Sequence, residues 1–135
     1  MMKADAKTEA AILAVLNEFA ASYARRDVQA VMALHASDPD VVVFAVGQKY
    51  TGPNQVRALV ESDLASFDTI AWDFATPSVS AAGAVAWMTA DATATGETGG
   101  QPVPLGAYRL TWVCEQRGER WLIVHAHVSA VASET

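Results

Sequence analysis

The sequence predicts an α+β domain with a mainly antiparallel sheet, and three observations predict it. Apolar residues recur at helical spacing through roughly the first half of the chain. After Asp68 the period shortens to that of strands, and nowhere do strands and helices alternate as they do in a parallel α/β protein. The 135 residues, 52% of them hydrophobic, suffice for one core and not for two, so residues 1–135 read as a single domain.

The first helix is expected from Asp5 to about Arg25, because Ile12, Leu16, Phe19 and Tyr23 form one stripe, with Thr8 as its N-cap. Asp27 caps a shorter helix with the stripe Val28, Val31, Met32 and His35, which ends before Asp38-Pro39 because a residue preceding proline avoids the α region. The run Val41 to Val46 is apolar, β-branched and bounded by Asp40 and Gly47, which predicts a buried strand with a brief return at Tyr50-Thr51. Gly52-Pro53 opens a third helix, whose inward stripe is Val56, Val60, Asp63/Leu64 and Phe67.

Four strands follow, at Thr69 to Ser80, Ala84 to Thr95, Leu105 to Gln116 and Arg120 to Ala132. Gly83, the stretch Gly96 to Gly100 with Pro102 and Pro104, and Gly118 separate them as hairpin turns, and Ser133-Glu134-Thr135 is a frayed tail. Alternate side chains of a strand point to opposite faces. Sorting by parity sends Tyr108, Leu110, Trp112 and Cys114, with Leu122, Val124, Ala126 and Val128, toward the helices, because that choice buries the most apolar area. The outer face then carries Arg109, Thr111, Trp121, Ile123, His125 and His127, and a mixed face of this kind suits a second copy of the chain, so a back-to-back homodimer is expected.

Charge and composition exclude several function classes. Nine Lys and Arg against fifteen Asp and Glu leave a net charge of −6, without the basic footprint of a nucleic-acid or anionic-lipid binder. The longest apolar run, Val41 to Val46, is far below the ~18 residues of a membrane span. The start Met1-Met2-Lys3-Ala4-Asp5 lacks a secretory pattern and Cys114 stands alone, so the expected setting is the cytoplasm, with no nucleic-acid or membrane partner.

The run Arg109-Leu110-Thr111-Trp112-Val113, a turn at Gly118, and then Trp121-Leu122-Ile123-Val124-His125-Ala126-His127-Val128-Ser129 resembles the closing hairpin of the SnoaL-like group in the nuclear transport factor 2-like superfamily. It is also similar to the association domain of calcium/calmodulin-dependent kinase. Tyr50-Thr51-Gly52-Pro53, Ser66-Phe67-Asp68 and Ala84 to Ala90 extend the resemblance over nearly the whole chain. The resemblance implies a cystatin-like, cone-shaped barrel: a curved sheet wrapped on the N-terminal helices, with an apolar cavity at one end and sheet-to-sheet pairing of two copies. It further implies that Val85, Trp87, Thr89, Asp91 and Thr93 face the inside of that cone.

On this basis Phe19, Trp72, Trp87, Thr89, Tyr108 and Trp112 are the expected ligand-binding residues, with a small apolar organic molecule as the partner. Asp91 and Tyr23 are the candidate catalytic pair, since a carboxylate in an apolar cavity has a raised pKa suited to acid–base work and a phenol can hydrogen-bond a developing oxyanion. Asp40 is a further candidate at the mouth. A catalytic zinc needs a third protein ligand beside His125 and His127, and none is evident, so no metal and no cofactor is expected. Cys114 has no histidine on its face and reads as a small hydrophobe. Three readings stay open: a ligand-binding protein of unknown substrate, a cofactor-free isomerase, cyclase or dehydratase using Asp91, and an association module without chemistry.

Overall fold

The computed structural model describes residues 2–132, so the tail Ser133-Glu134-Thr135 lies outside the described residues. Helix α1 spans Ala6–Ala24 and α2 Val28–Ala33; strands β1 (Val42–Ala45) and β2 (Gln48–Thr51) precede α3 (Gly52–Ser66). The long strands β3 (Thr69–Ala82), β4 (Val85–Thr98), β5 (Gln101–Arg117) and β6 (Arg120–Ala130) complete the chain. None of the described helices is long and apolar enough to cross a membrane.

Helix α1 has the expected extent but a different cap. Its N-cap is Asp5, whose Oδ1 accepts a hydrogen bond from the Thr8 amide at 2.7 Å, so the cap lies one turn before Thr8 itself. Asp27 caps α2 as the sequence predicts, accepting from the Ala30 amide at 3.0 Å. Gly52 opens α3 at φ +80°, a conformation that favours glycine.

The six strands form one curved sheet in the order β2-β1-β6-β5-β4-β3. Every pairing is antiparallel except β1 with β6. The sheet does not close: β2 and β3 are its edges, and α3 touches both of them, so a helix rather than strand pairing bridges the opening. Helix α1 lies across the inner face, mainly against β3. Ile12, Leu16, Met88, Trp112 and Ile123 pack there in the main core.

Two expectations about faces are overturned. On β4 the inward row is Ala86, Met88, Ala90, Ala92 and Ala94, all buried, so Asp91 and Thr89 point outward and are exposed, with Trp87 half-buried on that same outer side. The reason is register: Met88 pairs with Trp112 and Asp91 with Arg109, and cross-strand partners share a face.

On β6, parity changes partway along. Val113 pairs with His125 and Cys114 with Ile123, which leaves Val124 as the extra residue of a bulge. Ala126 and Val128 face inward as expected, but so do Trp121 and Ile123, at 9% and 0% exposure, whereas Leu122 and Val124 are only half-buried. Trp121 and Ile123 therefore belong to the core and not to the outer face. The Ile123 amide donates to the Leu34 carbonyl at 2.8 Å and its carbonyl accepts from the Ala36 amide at 2.9 Å, which docks the exit of α2 onto the sheet.

The β4–β5 turn also differs. Its tip is Gly99-Gly100, both at positive φ, whereas Gly96 lies within β4 directly beneath the Phe67 ring.

Candidate functional site

The inner face of the sheet, α1 and α3 enclose a cavity of about 370 Å³ with mostly apolar walls. The last two turns of α1 bring Phe19 and Tyr23 to it because they lie four positions apart on one helix face. β3 contributes Trp72 and β5 contributes Tyr108 and Trp112. The aromatic rings lock one another: Phe19 lies 4.9 Å from Tyr23 and 5.2 Å from Trp112, and Trp72 lies 6.3 Å from Tyr23 and 5.7 Å from Tyr108, centroid to centroid.

Polar side chains interrupt this apolar wall, Gln48 and Tyr50 among them. The Tyr23 hydroxyl donates to Asp63 Oδ2 at 3.1 Å, tying the end of α1 to the middle of α3. Tyr23 is only 3% exposed, and burial together with the Asp63 charge raises its pKa well above that of a free phenol, so it remains a proton donor. Burial pushes the Asp63 carboxyl above the usual range, and the bond from Tyr23 opposes that shift. Asp63 Oδ1 takes no hydrogen bond from the described residues. His35 also lines the cavity. Its Nδ1 lies 3.0 Å from the Val31 carbonyl, which only accepts, so the proton sits on Nδ1 and Nε2 is an acceptor. Burial lowers the His35 pKa and keeps the ring neutral at pH 7. The ring of Trp72 lines the cavity, and its indole N–H is the one buried side-chain polar atom among the described residues without a hydrogen-bond partner.

Five expected residues meet at this cavity: Phe19, Tyr23, Trp72, Tyr108 and Trp112. Three do not. Trp87, Thr89 and Asp91 lie on the opposite face of the sheet, and Asp91, 56% exposed, accepts from Thr76 Oγ1 at 2.8 Å and from Arg109 Nε at 3.3 Å. Asp91 cannot serve as base for a ligand held on the other side of its own strand. Asp40 is exposed and outside the lining. The Tyr108 hydroxyl is committed to the Leu105 carbonyl at 2.7 Å. Asp63 and His35 were missed as functional residues, although both fall on stripes that the sequence marks as inward. A polar residue within such a stripe was the available signal.

The outer face retains Arg109, Thr111, His125 and His127, with the half-exposed Phe44 packed against both histidines at 5.6 and 5.2 Å. His125 Nδ1 lies 2.7 Å from the Val42 carbonyl. No three His, Cys, Asp or Glu side chains among the described residues gather as a metal site would require. Cys114 is buried, which pushes its thiol pKa up to about 12 and leaves it inert as a nucleophile.

The sequence profile described as the SnoaL-like domain matches residues 12–133. No curated protein matches the sequence. Among solved structures, a protein of unknown function with a cystatin-like fold from Nostoc punctiforme superposes with a TM-score of 0.83 at 16% identity, covering 98% of this chain and 97% of its own. A candidate dehydratase of the nuclear transport factor 2-like family from Streptomyces avermitilis gives 0.84 at 18% identity, covering 96% and 100%. A candidate calcium/calmodulin-dependent protein kinase II association domain from Xanthomonas campestris gives 0.80 at 22% identity, covering 99% and 97%. At such identities these likenesses establish the fold, which is cystatin-like and nuclear transport factor 2-like.

Proposed function

The chain belongs to the SnoaL-like domain family, and from that premise we propose that it binds a small, largely apolar organic molecule inside the cone. The observation that carries this reading is a cavity of about 370 Å³, within the roughly 300–1,000 Å³ range of small-molecule sites, with apolar walls and a few convergent polar groups. An association module has no need of a hollow core, and filling one with side chains would stabilise it. Native mass spectrometry of protein purified without additives, together with thermal shifts in the presence of 2-tetralone, tests the proposal. A co-purifying molecule or a ketone-dependent rise in melting temperature supports it; no bound species and no shift overturn it.

A second reading makes the protein a cofactor-free enzyme of the isomerase, cyclase or dehydratase type, and Asp63 is the observation that favours it. A partly buried carboxyl held through Oδ2 by Tyr23 leaves Oδ1 for a ligand, and burial raises its pKa, which makes it a stronger base than an exposed carboxylate. In this chemistry Asp63 takes the proton from a carbon next to a carbonyl, the C–H electron pair moves into the enolate, and the proton returns to another position. Asp63 thus replaces Asp91 as the proposed base, and Tyr23 positions it. Deuterium uptake by 2-tetralone at its α carbons, catalysed by the protein in D2O and lost in Asp63→Asn while binding persists, is the expected result. Uptake unchanged by the substitution would remove Asp63 from the mechanism.

The outer face supports a homodimer, because Phe44 and Val85 leave apolar surface exposed there beside Arg109, Thr111, His125 and His127. Arg109→Glu combined with His127→Glu should elute as a monomer on a sizing column; a persisting dimer would count against this face.

A further inference from the structure

We propose that Nε2 of His35 is the acceptor for a hydroxyl group of the bound molecule, which makes the ligand of this pocket an apolar molecule that carries an alcohol or phenol O–H. The inference rests on the pocket being a ligand site and goes further by naming the group that it recognises.

His35 follows α2, and its amide donates to the Met32 carbonyl at 3.0 Å. One edge of its ring is committed to the same helix. Nδ1 lies 3.0 Å from the Val31 carbonyl, which can only accept, so Nδ1 carries the proton and Nε2, on the far side of the ring, offers a lone pair. Burial keeps the ring neutral at pH 7, so that lone pair stays available. The residue is 9% exposed and lines the cavity, and Nε2 takes no hydrogen bond from the described residues. Nε2 is nevertheless not sealed off. Among the described residues the Trp72 nitrogen is the one partnerless buried side-chain atom with almost no accessible surface, so Nε2 keeps some, and the space that so buried a residue meets is the cavity.

No donor of the wall meets this lone pair. The Tyr23 hydroxyl donates to Asp63 and the Tyr108 hydroxyl to the Leu105 carbonyl. Gln48 and Tyr50, on the edge strand β2, can each donate or accept, and neither donates to His35. No Lys or Arg lines the cavity. An apolar molecule filling the chamber displaces water from Nε2, and an acceptor stripped of its partner is unfavourable. A ligand hydroxyl avoids that penalty by donating to Nε2, whereas a carbonyl placed there would set one lone pair against another. Asp63 Oδ1 is a second open acceptor in the same chamber, so the two uncommitted groups of fixed polarity both call for a donor.

The test uses three probes on one skeleton: 2-tetralol, which donates and accepts, 2-tetralone, which only accepts, and 2-methyltetralin, which does neither. His35→Asn keeps a donor for the Val31 carbonyl and removes Nε2. The expected result is a loss of about five- to tenfold in affinity for the alcohol, with the ketone and the hydrocarbon within about twofold of wild type. In the wild-type protein the His35 Nε2 ¹⁵N resonance should lie at lower frequency with bound 2-tetralol than with bound 2-methyltetralin, because accepting a hydrogen bond shields that nitrogen. That second measurement decides the matter if His35→Asn fails to fold. Equal losses for all three probes, no loss for the alcohol, or the same Nε2 position with alcohol and hydrocarbon would overturn the acceptor role and leave the pocket intact. Binding of none of the probes to the wild type would overturn the pocket as well.

Discussion

The Tyr23 phenol and the Asp63 carboxylate meet at 3.1 Å across forty positions of sequence, and their bond joins α1 to α3 at the wall of the cavity. A carboxyl held in this way costs stability once it ionises, because a raised pKa means that its ionised form is disfavoured by folding.

Asp63→Asn should therefore stabilise the protein at neutral pH. The folded state holds the Asp63 proton more tightly than the unfolded chain does. Stability consequently falls as pH rises from the unfolded carboxylate pKa, about 3.9, to the higher folded value, and is flat beyond it. Asparagine removes that loss and still accepts from Tyr23. Its melting temperature should exceed wild type by about 1–4 °C at pH 7 and match it near pH 3. A lower melting temperature at pH 7 would show that the carboxylate is structurally required.

His35 should make the protein acid-sensitive. Its folded pKa lies below that of the unfolded chain, so the unfolded state takes up protons first, and the stability present above about pH 6.5 is lost on acidification. His35→Asn keeps a donor for the Val31 carbonyl but cannot titrate. Urea midpoints at pH 7.5 and 5 should converge for the two proteins, with the variant weaker at pH 7.5 by about 1–2 kcal/mol for the lost packing against Phe19, 6.4 Å away. A wild-type minus variant difference independent of pH would contradict this.

Arg26 holds the exit of α3. It sits at φ +61°, and its guanidinium donates to the carbonyls of Phe67 and Asp68, both at 2.9 Å, and to that of Leu64. A lysine cannot serve three divergent acceptors, so Arg26→Lys should cost about 1–3 kcal/mol in urea unfolding. Arg26→Gly relaxes the backbone and loses every one of these bonds. If the glycine variant proves more stable than wild type, backbone strain outweighs the cap.

Gly96→Ala should open a conflict with Phe67. The added Cβ would lie 3.0 Å from the ring and 3.2 Å from the Thr69 carbonyl, which predicts a loss of about 1–3 kcal/mol. Phe67→Leu in the same chain should recover part of it, because the ring is the movable neighbour and the carbonyl is not. Because Phe67 also lines the cavity, the single variant should bind 2-tetralone less well.

Much of the molecule was legible from residue order. The α1 stripe, the Asp27 cap, the Gly52-Pro53 helix start and the order of elements follow from local periodicity and capping, and these interactions span only a few residues. Asp91 was assigned to the wrong face because a strand's period says which residues share a side but not which side is inside. Its pairing with Arg109, a residue already expected outside, would have settled that question, but register is a relationship between strands. Trp121 and Ile123 were assigned outward because one extra residue at Val124 reverses parity, and no glycine or proline marks the place.

By itself, the sequence determined which segments coil and which extend, that an apolar core would form, and that Phe19, Tyr23, Tyr108 and Trp112 would belong to its inner surface. Those outcomes depend on short-range periodicity and on the hydrophobic effect, which needs no knowledge of partners. Tertiary structure alone decided that Asp63 meets Tyr23, that Asp91 faces solvent, and that the Trp72 nitrogen lacks an acceptor. Each of these depends on the distance and direction between side chains on separate elements, and such geometry arises only when helices and sheet are packed together.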